Sequence, residues 1–454
     1  MTASSYQPRR PRRFAPAARL VTGLSSLVLL GTALLMLPAS SAGQPLPFHK
    51  ACFTAVSALA TTGLSLITPG ADLSTFGQLV LLLLMQVGGI GFMLGSVLIF
   101  RLIGRRVTLA ERFALRDSLG TVSAGSVVKV AQRITLGVLS IELGGAVVLW
   151  LIWIKQFGVG QAAYLALWHS VSAFTNSSFD LLSGSPIAPS GFPVTAPTLL
   201  VISTLVILGS IGMPVLSDLL QWVRAPRRKH RLSLHTRLTL LAAGTLLALG
   251  TVALFIGSSK AGTLFSDDPW PRRLLMAYFH SATARTSGFV LVPLDEMSAA
   301  NSFTLCVLMF IGGSPASMGG GIGTSTLIVL FLTLVAAVRG RDLPVAWGRT
   351  LPRETIVKSV AILFSSLTFV LTVAWLLLLT QETTLVEALF ETISAFATCG
   401  FTLGLTPKLD PFGQFLIAFT MFAGRLGILT LVVSLTEASR PSPLSYPEEK
   451  ILIG

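Results

Sequence analysis

Apolar stretches of roughly membrane-crossing length alternate along this chain with short polar segments, and the polar segments are of two kinds. One kind is rich in Arg and Lys. The other holds Gly, Ser and Thr and follows a shorter apolar stretch. Runs such as LVTGLSSLVLLGTALLMLP and VAILFSSLTFVLTVAWLLLLT approach or reach the roughly 20 residues that an α-helix needs to cross about 30 Å of hydrocarbon. The pattern predicts spans near residues 17–38, 74–101, 133–156, 196–222, 234–257, 301–337, 356–380 and 411–436. The stretches ending at Thr62, Ser177, Ser287 and Cys399 are too short to cross.

Those short stretches end in related strings: SALATTGLS from Ser57, SAFTNSSFD from Ser172, ATARTSGFV from Ala282 and SAFATCGFT from Ser394. Aligned on the seventh residue, they put Gly63, Ser178, Gly288 and Gly400 in one column, about 110 to 115 positions apart. Around each the order recurs: span, short helix, Gly/Ser/Thr turn, span. A basic segment joins each second span to the next repeat, so every repeat leaves and re-enters from one side, and its short segment re-enters from the other. Irregular backbone at membrane depth is tolerated only where protein buries it or water reaches it. The expected fold is therefore an all-α membrane protein, with four covalently linked span, pore-helix, span repeats around a central pore. It has eight transmembrane helices and four re-entrant pore helices. The repeats fall at 17–104, 133–222, 234–338 and 356–437, with linkers at 105–132, 223–233 and 339–355, a basic N-terminus at 1–16 and a tail at 438–454.

Composition agrees. A chain of 454 residues that is 52% hydrophobic and 11% charged cannot hide its apolar residues in a soluble core. The formal charge of +14 would suggest nucleic acid as a partner in a soluble protein. Here the charge sits in PRRPRRF, RLIGRRVTLAERFALR, RAPRRKHRLSLHTR and RGRDLPVAWGRTLPRE, so the positive-inside rule places these segments and both termini in the cytoplasm of a plasma (inner) membrane protein. A lipid membrane replaces nucleic acid as the expected surroundings. The first apolar run has the length of a span and shows no cleavage pattern, which argues against a signal peptide. Cys52, Cys306 and Cys399 form no disulfide or metal pattern.

A cation leaving water needs replacement oxygens, and backbone carbonyls supply them without the charge that would trap it. The turns Thr61-Thr62-Gly63, Asn176-Ser177-Ser178, Thr286-Ser287-Gly288 and Thr398-Cys399-Gly400 are the candidate ion ligands. Glycine permits conformations that aim successive carbonyls at one axis. Each short helix would point its negative C-terminal end at the same place. Thr61, Thr286 and Thr398 are expected to add hydroxyl oxygens. The third repeat's second span contains FIGGSPASMGGGIGTST, Phe310 to Thr326, in the middle of an apolar run. Gly costs about 1 kcal/mol and Pro about 3 in a helix interior, so Gly312, Gly313, Pro315, Gly319, Gly320, Gly321 and Gly323, with Ser314 among them, should break that span. MFAGRLGILT places Arg425 inside the last span, where a charge faces a cavity or a partner.

With these motifs the chain resembles the KtrB/TrkH/HKT superfamily of potassium transporters over nearly its whole length, and looks closest to the KtrB membrane subunit. The resemblance implies a homodimer, K⁺ as the transported ion, one pore per subunit, and a cytoplasmic KtrA-like nucleotide-binding ring as partner. It implies no covalently bound cofactor, and nucleotide only through that ring. It also implies that 310–326 is an intramembrane gating loop, that Arg425 faces the pore beside it, and that Gly323 stands where many members carry lysine. Ser178 departs from the four-glycine pattern. Its Cβ disfavours left-handed backbone and its hydroxyl competes for nearby groups, so a K⁺ path with an appreciable Na⁺ leak is favoured over strict selectivity. The plain alternative is an ordinary backbone conformation at Ser178.

Other polar residues are expected to be structural. His49, His169 and His280 lack metal-site spacing. Arg285, Asp180 and Glu391 flank the turns and should brace the extracellular mouth. A Na⁺ or mixed Na⁺/K⁺ transporter of HKT/Trk type is the alternative reading. A solute carrier is disfavoured by the four filter-like turns, and an enzyme by the lack of a catalytic constellation in the spans.

Overall fold

The computed structural model describes residues 16–90, 127–185, 191–224, 231–258 and 268–427. The N-terminal segment, most of the 105–132 and 223–233 linkers, the tail, and the far ends of the spans predicted at 74–101 and 411–436 lie outside the described residues.

Each repeat builds an outer helix, a pore helix and an inner segment. The outer helices are Pro16–Leu35, Val127–Phe157, Leu234–Gly257 and Arg353–Thr380. The pore helices are Phe48–Leu59, Val159–Phe174, Trp270–Ala284 and Leu385–Phe396. The inner segments begin with Thr75–Ile90, Ala196–Ile211, Ala299–Ile311 and Pro411–Leu426. Local chemistry starts several of them. Ser233 Oγ accepts from the Thr236 amide, Asp410 from the Gly413 amide at 2.7 Å, and Thr384 with Glu387 forms a reciprocal capping box.

Among the described residues, three helices are long and apolar enough to cross a membrane: Gln132–Phe157, Leu234–Gly257 and Arg353–Thr380. Val21–Leu35, Thr75–Ile90, Ala299–Ile311 and Thr324–Val338 are shorter apolar helices. The outward faces are greasy. Leu143 is 61% exposed, Leu249 63%, Phe303 70% and Phe364 73%, a surface suited to hydrocarbon rather than water.

The predicted continuous span at 196–222 needs correction. Ala196–Ile211 stops at Gly212, and Met213–Arg224 leaves at 103° to it. Gly212 has φ +96°, outside the helical range, and Pro214 follows it. The amide of Met213 bonds the carbonyl of Ala316 instead of the preceding turn. In the third repeat the inner segment is also in two pieces, Ala299–Ile311 and Thr324–Val338, joined by a non-helical loop over 312–323.

Packing closes the repeats into a ring. The inner helix of repeat 1 packs on the pore helix of repeat 2, that of repeat 2 on pore helix 3, that of repeat 3 on pore helix 4, and that of repeat 4 on pore helix 1. Small residues allow the approach. A Cβ on Gly88 would lie 2.8 Å from the carbonyl carbon of Leu59, and one on Gly424 2.8 Å from that of Phe396, so the inner helices of repeats 1 and 4 touch the ends of their own pore helices backbone to backbone. Repeats 1 and 3 thus face each other across the axis, as do repeats 2 and 4.

Candidate functional site

The pore helices end at the axis, and the way three of them end follows from the sequence. Thr61, Asn176 and Thr398, two residues before the column, have φ of +54°, +58° and +49°. The next amides reach back five residues, Thr62 to the Ser57 carbonyl at 2.8 Å, Ser177 to Ser172 at 2.9 Å and Cys399 to Ser394 at 2.9 Å. A left-handed residue followed by that bond is the Schellman ending, here made by Thr and Asn where Gly is usual. Left-handed backbone at a non-glycine costs about 1–2 kcal/mol, so the surrounding packing must hold these turns. In repeats 1 and 4 a pore-helix serine then caps the column glycine: the Gly63 amide donates to Ser57 Oγ at 3.0 Å and the Gly400 amide to Ser394 Oγ at 3.1 Å.

Repeat 3 ends differently because its residue at the capping position is Ala282. The amides of Thr286, Ser287 and Gly288 all converge on the Thr283 carbonyl, at 3.2, 2.8 and 3.0 Å. Repeat 2 differs because of its column serine. Ser178 has φ +48°, against +91° at Gly63 and +98° at Gly400. The ordinary conformation is therefore not the one it adopts, and Ser172 Oγ donates to the Phe179 carbonyl at 2.9 Å rather than capping the column.

The four turns meet in one ring. Around it the column residues of three walls face carbonyls of the next wall: Gly63 the Ser177 carbonyl, Gly288 the Cys399 carbonyl and Gly400 the Thr62 carbonyl. Ser178 Oγ projects into this ring, 3.4 Å from the Thr62 carbonyl oxygen of an adjacent wall and 3.5 Å from that of Cys399 on the opposite wall. In walls 2 and 4 the side chain just before the column bonds protein rather than the axis: Cys399 Sγ lies 3.2 Å from the Ala284 carbonyl, and Ser177 Oγ 2.9 Å from Thr175 Oγ1.

The loop 312–323 lies across one end of the ring. The Thr61 hydroxyl donates to the Met318 carbonyl at 2.9 Å, and Thr398 Oγ1 accepts from the Gly320 amide at 2.9 Å. The Thr286 methyl packs where side chains at Gly313 or Gly319 would stand. The hydroxyls of Thr61 and Thr398, expected to serve an ion, thus bond the loop. The loop is a hairpin whose Gly313 amide donates to Gly320 at 3.1 Å, while Ser314 and Met318 donate to the Ser210 and Gly209 carbonyls where the second inner helix breaks. Ser314 Oγ accepts from Thr324 at 3.1 Å, and the Pro315 carbonyl stands against Gly212. Arg425 links this loop to the first inner helix: Nη1 donates to the Met318 carbonyl and Nη2 to that of Gly88.

The remaining polar residues were only partly legible. Asp180 accepts from His169 Nε2 at 2.8 Å and from the Leu182 amide at 2.7 Å. Glu391 accepts from Thr402 at 2.8 Å and from Thr406. Arg285 is buried, and its Nε and Nη2 have no hydrogen-bond partner among the described residues. Gln86 and the buried Glu142 of the second outer helix, bonded at 2.8 Å, went unnoticed in the sequence because they are 56 residues apart and stand in otherwise apolar runs.

A sequence model of the TrkH family, described as a cation transport protein, matches residues 4–443. The chain belongs to the TrkH cation transport family. It is 35% identical to the Ktr system potassium uptake protein B of Bacillus subtilis, over 97% of this chain and 97% of that protein. It is 32% identical to the potassium/sodium uptake protein NtpJ of Enterococcus hirae, over 98% of both. The crystal structure of the potassium transporter TrkH from Vibrio parahaemolyticus superposes with a TM-score of 0.74, at 18% identity, over 94% of this chain and 86% of that one. Family membership, the fold and the apolar helices make this chain a multi-pass membrane transporter of the KtrB-like part of the superfamily, and not an enzyme.

Proposed function

We propose that this chain is the membrane-embedded, ion-translocating subunit of a K⁺ uptake system, with the ring of Thr61 to Gly63, Asn176 to Ser178, Thr286 to Gly288 and Thr398 to Gly400 as selectivity filter and the 312–323 loop as gate. The observation that carries this reading is the convergence of four pore-helix ends on one ring of carbonyls with a hairpin bonded across it. Carbonyls replace the hydration of a cation without fixing it in place, and the pore-helix C-termini add favourable potential. The subunit pairs as a homodimer on a cytoplasmic KtrA-like nucleotide-binding ring, with both termini in the cytoplasm. Names of relatives as Ktr system proteins support a multi-component assembly. Growth of a K⁺-uptake-deficient bacterium at low K⁺, with and without such a ring subunit, tests it. Rescue is expected, stronger with the ring; rescue that survives Gly400→Asp would remove the filter from the ion path.

A mixed K⁺/Na⁺ path is the second reading. It is favoured by the Ser178 hydroxyl inside the ring and by the potassium/sodium description of the Enterococcus hirae relative. Ser178→Gly removes the hydroxyl and lets the second wall take the backbone of Gly63 and Gly400. The K⁺/Na⁺ permeability ratio is expected to rise about tenfold, which needs only about 1.4 kcal/mol. An unchanged ratio in bi-ionic measurements would show that the hydroxyl is neutral in selection.

A further inference from the structure

Two of the four walls carry a side-chain strut and two do not. The strut joins the ninth residue before the column, on the pore helix, to the second residue after it, on the chain leaving the ring. In wall 2 these are His169 and Asp180, 2.8 Å apart. In wall 4 they are Glu391 and Thr402, also 2.8 Å apart. In wall 3 the same two positions hold Phe279 and Val290, which cannot bond. In wall 1 they hold Thr54 and Ser65, which turn away from each other, Thr54 donating to the Lys50 carbonyl at 2.8 Å and Ser65 to the Ile67 carbonyl at 2.6 Å. Walls 2 and 4 stand opposite each other.

We propose that His169–Asp180 and Glu391–Thr402 are positioning residues that stiffen two opposite walls of the filter and thereby set how well it discriminates K⁺ from Na⁺. The proposal rests on the reading of the ring as a filter. Each strut spans the segment that carries the column residue, so it fixes the carbonyls between its ends without touching the ion. Wall 2 is held further by Trp168 Nε1, which donates to the Phe179 carbonyl at 2.9 Å, and wall 4 by Thr406, which donates to Glu391. Na⁺ is smaller than K⁺ and gains from carbonyls that move inward, so walls that resist contraction favour K⁺. The two unstrutted walls leave the ring able to yield along one diagonal only.

His169 Nδ1 also lies 2.7 Å from the Leu165 carbonyl, so both imidazole nitrogens of the wall 2 strut have fixed polar neighbours. Burial acts to raise the Asp180 carboxyl, but the His169 hydrogen bond and charge, with Ser183 and the Leu182 amide, hold it below the usual carboxylate range. The Trp153 and Phe192 rings pack edge-on against His169, and the Ser183 amide donates to Asp180.

The test uses full-length protein in proteoliposomes, reading K⁺/Na⁺ permeability ratio and Rb⁺ uptake. Thr402→Val, which keeps the shape of threonine without its hydroxyl, and Asp180→Asn are each expected to lower the ratio about fivefold, the scale of one hydrogen bond of ordinary strength. Thr402→Ser should restore it. Val290→Thr, at the same position in an unstrutted wall, should leave it unchanged. Unchanged ratios in both Thr402→Val and Asp180→Asn, in preparations where Gly400→Asp stops uptake, overturn the struts and leave the filter standing. If Gly400→Asp also conducts normally, the filter reading fails and takes the struts with it.

Discussion

Replacing Gly400 or Gly63 by aspartate is expected to reduce K⁺ uptake to about one hundredth or less, the effect of raising the barrier by roughly 2.7 kcal/mol. Three costs act together. Both glycines have φ above +90°, where an L-residue is strained, as the lower φ of Ser178 already illustrates. A Cβ at Gly63 would stand 2.5 Å from the Ser177 carbonyl oxygen, and one at Gly400 would press on the Thr62 carbonyl, so either would displace a ligand of the neighbouring wall. The added carboxylate would then sit where the ring needs neutral oxygens that release the ion. Uptake of Rb⁺ by cells matched for membrane-inserted protein is the measurement. Near-normal uptake in both variants would take these residues out of the path.

Deleting Ala316 to Gly321 is expected to raise cation flux about tenfold or more and to weaken its dependence on the cytoplasmic partner. The estimate follows from losing several buried hydrogen bonds that hold the closed arrangement, each about 1 kcal/mol. The excised residues carry the Met318 carbonyl that Thr61 and Arg425 bond, and the Gly320 amide that bonds Thr398. They also form the tip of a hairpin whose stem is already close: Gly313 bonds Thr324, and Pro315 Cδ lies 4.0 Å from where a Cβ on Gly323 would be. The shortened chain can therefore rejoin without pulling the two helices apart. Arg425→Ala should shift flux in the same direction by a smaller factor, because it releases the loop from the first inner helix and leaves Thr61 and Thr398 in place. Currents unchanged in both variants would reduce the loop to a packing element.

Much of this protein was legible from its order of residues. Span length, re-entry and the fourfold recurrence follow from hydropathy and the Gly/Ser/Thr strings, because hydrocarbon imposes one simple rule on every segment that meets it. Breaker density marked the third inner run from Phe310 to Thr326, and the structure has no helix over 312–323. The break at Gly212 was not legible. A single Gly before Met-Pro in an apolar run reads as a tolerated glycine, and what stops the helix there is the Ala316 carbonyl, which captures the Met213 amide from a loop about a hundred residues further on.

The site divides the same way. The four aligned turns named the residues that meet in the ring, since equal positions in repeats fall at equal places in the fold. Even the departure at Ser178 could be read as a departure. What the site residues touch could not, because it depends on which neighbour each group meets: Ser178 Oγ between carbonyls of two other walls, Thr61 and Thr398 bonded to the loop, and Arg425 bonded both to Met318 and to Gly88, the latter 337 positions away in sequence. Sequence by itself determined the all-α membrane fold with its re-entrant helices and which residues recur at equal positions in the four repeats, all governed by local hydropathy and backbone preference. Tertiary structure alone decided which carbonyl each donor finds, because a hydrogen bond acts over about 3 Å and is blind to separation along the chain.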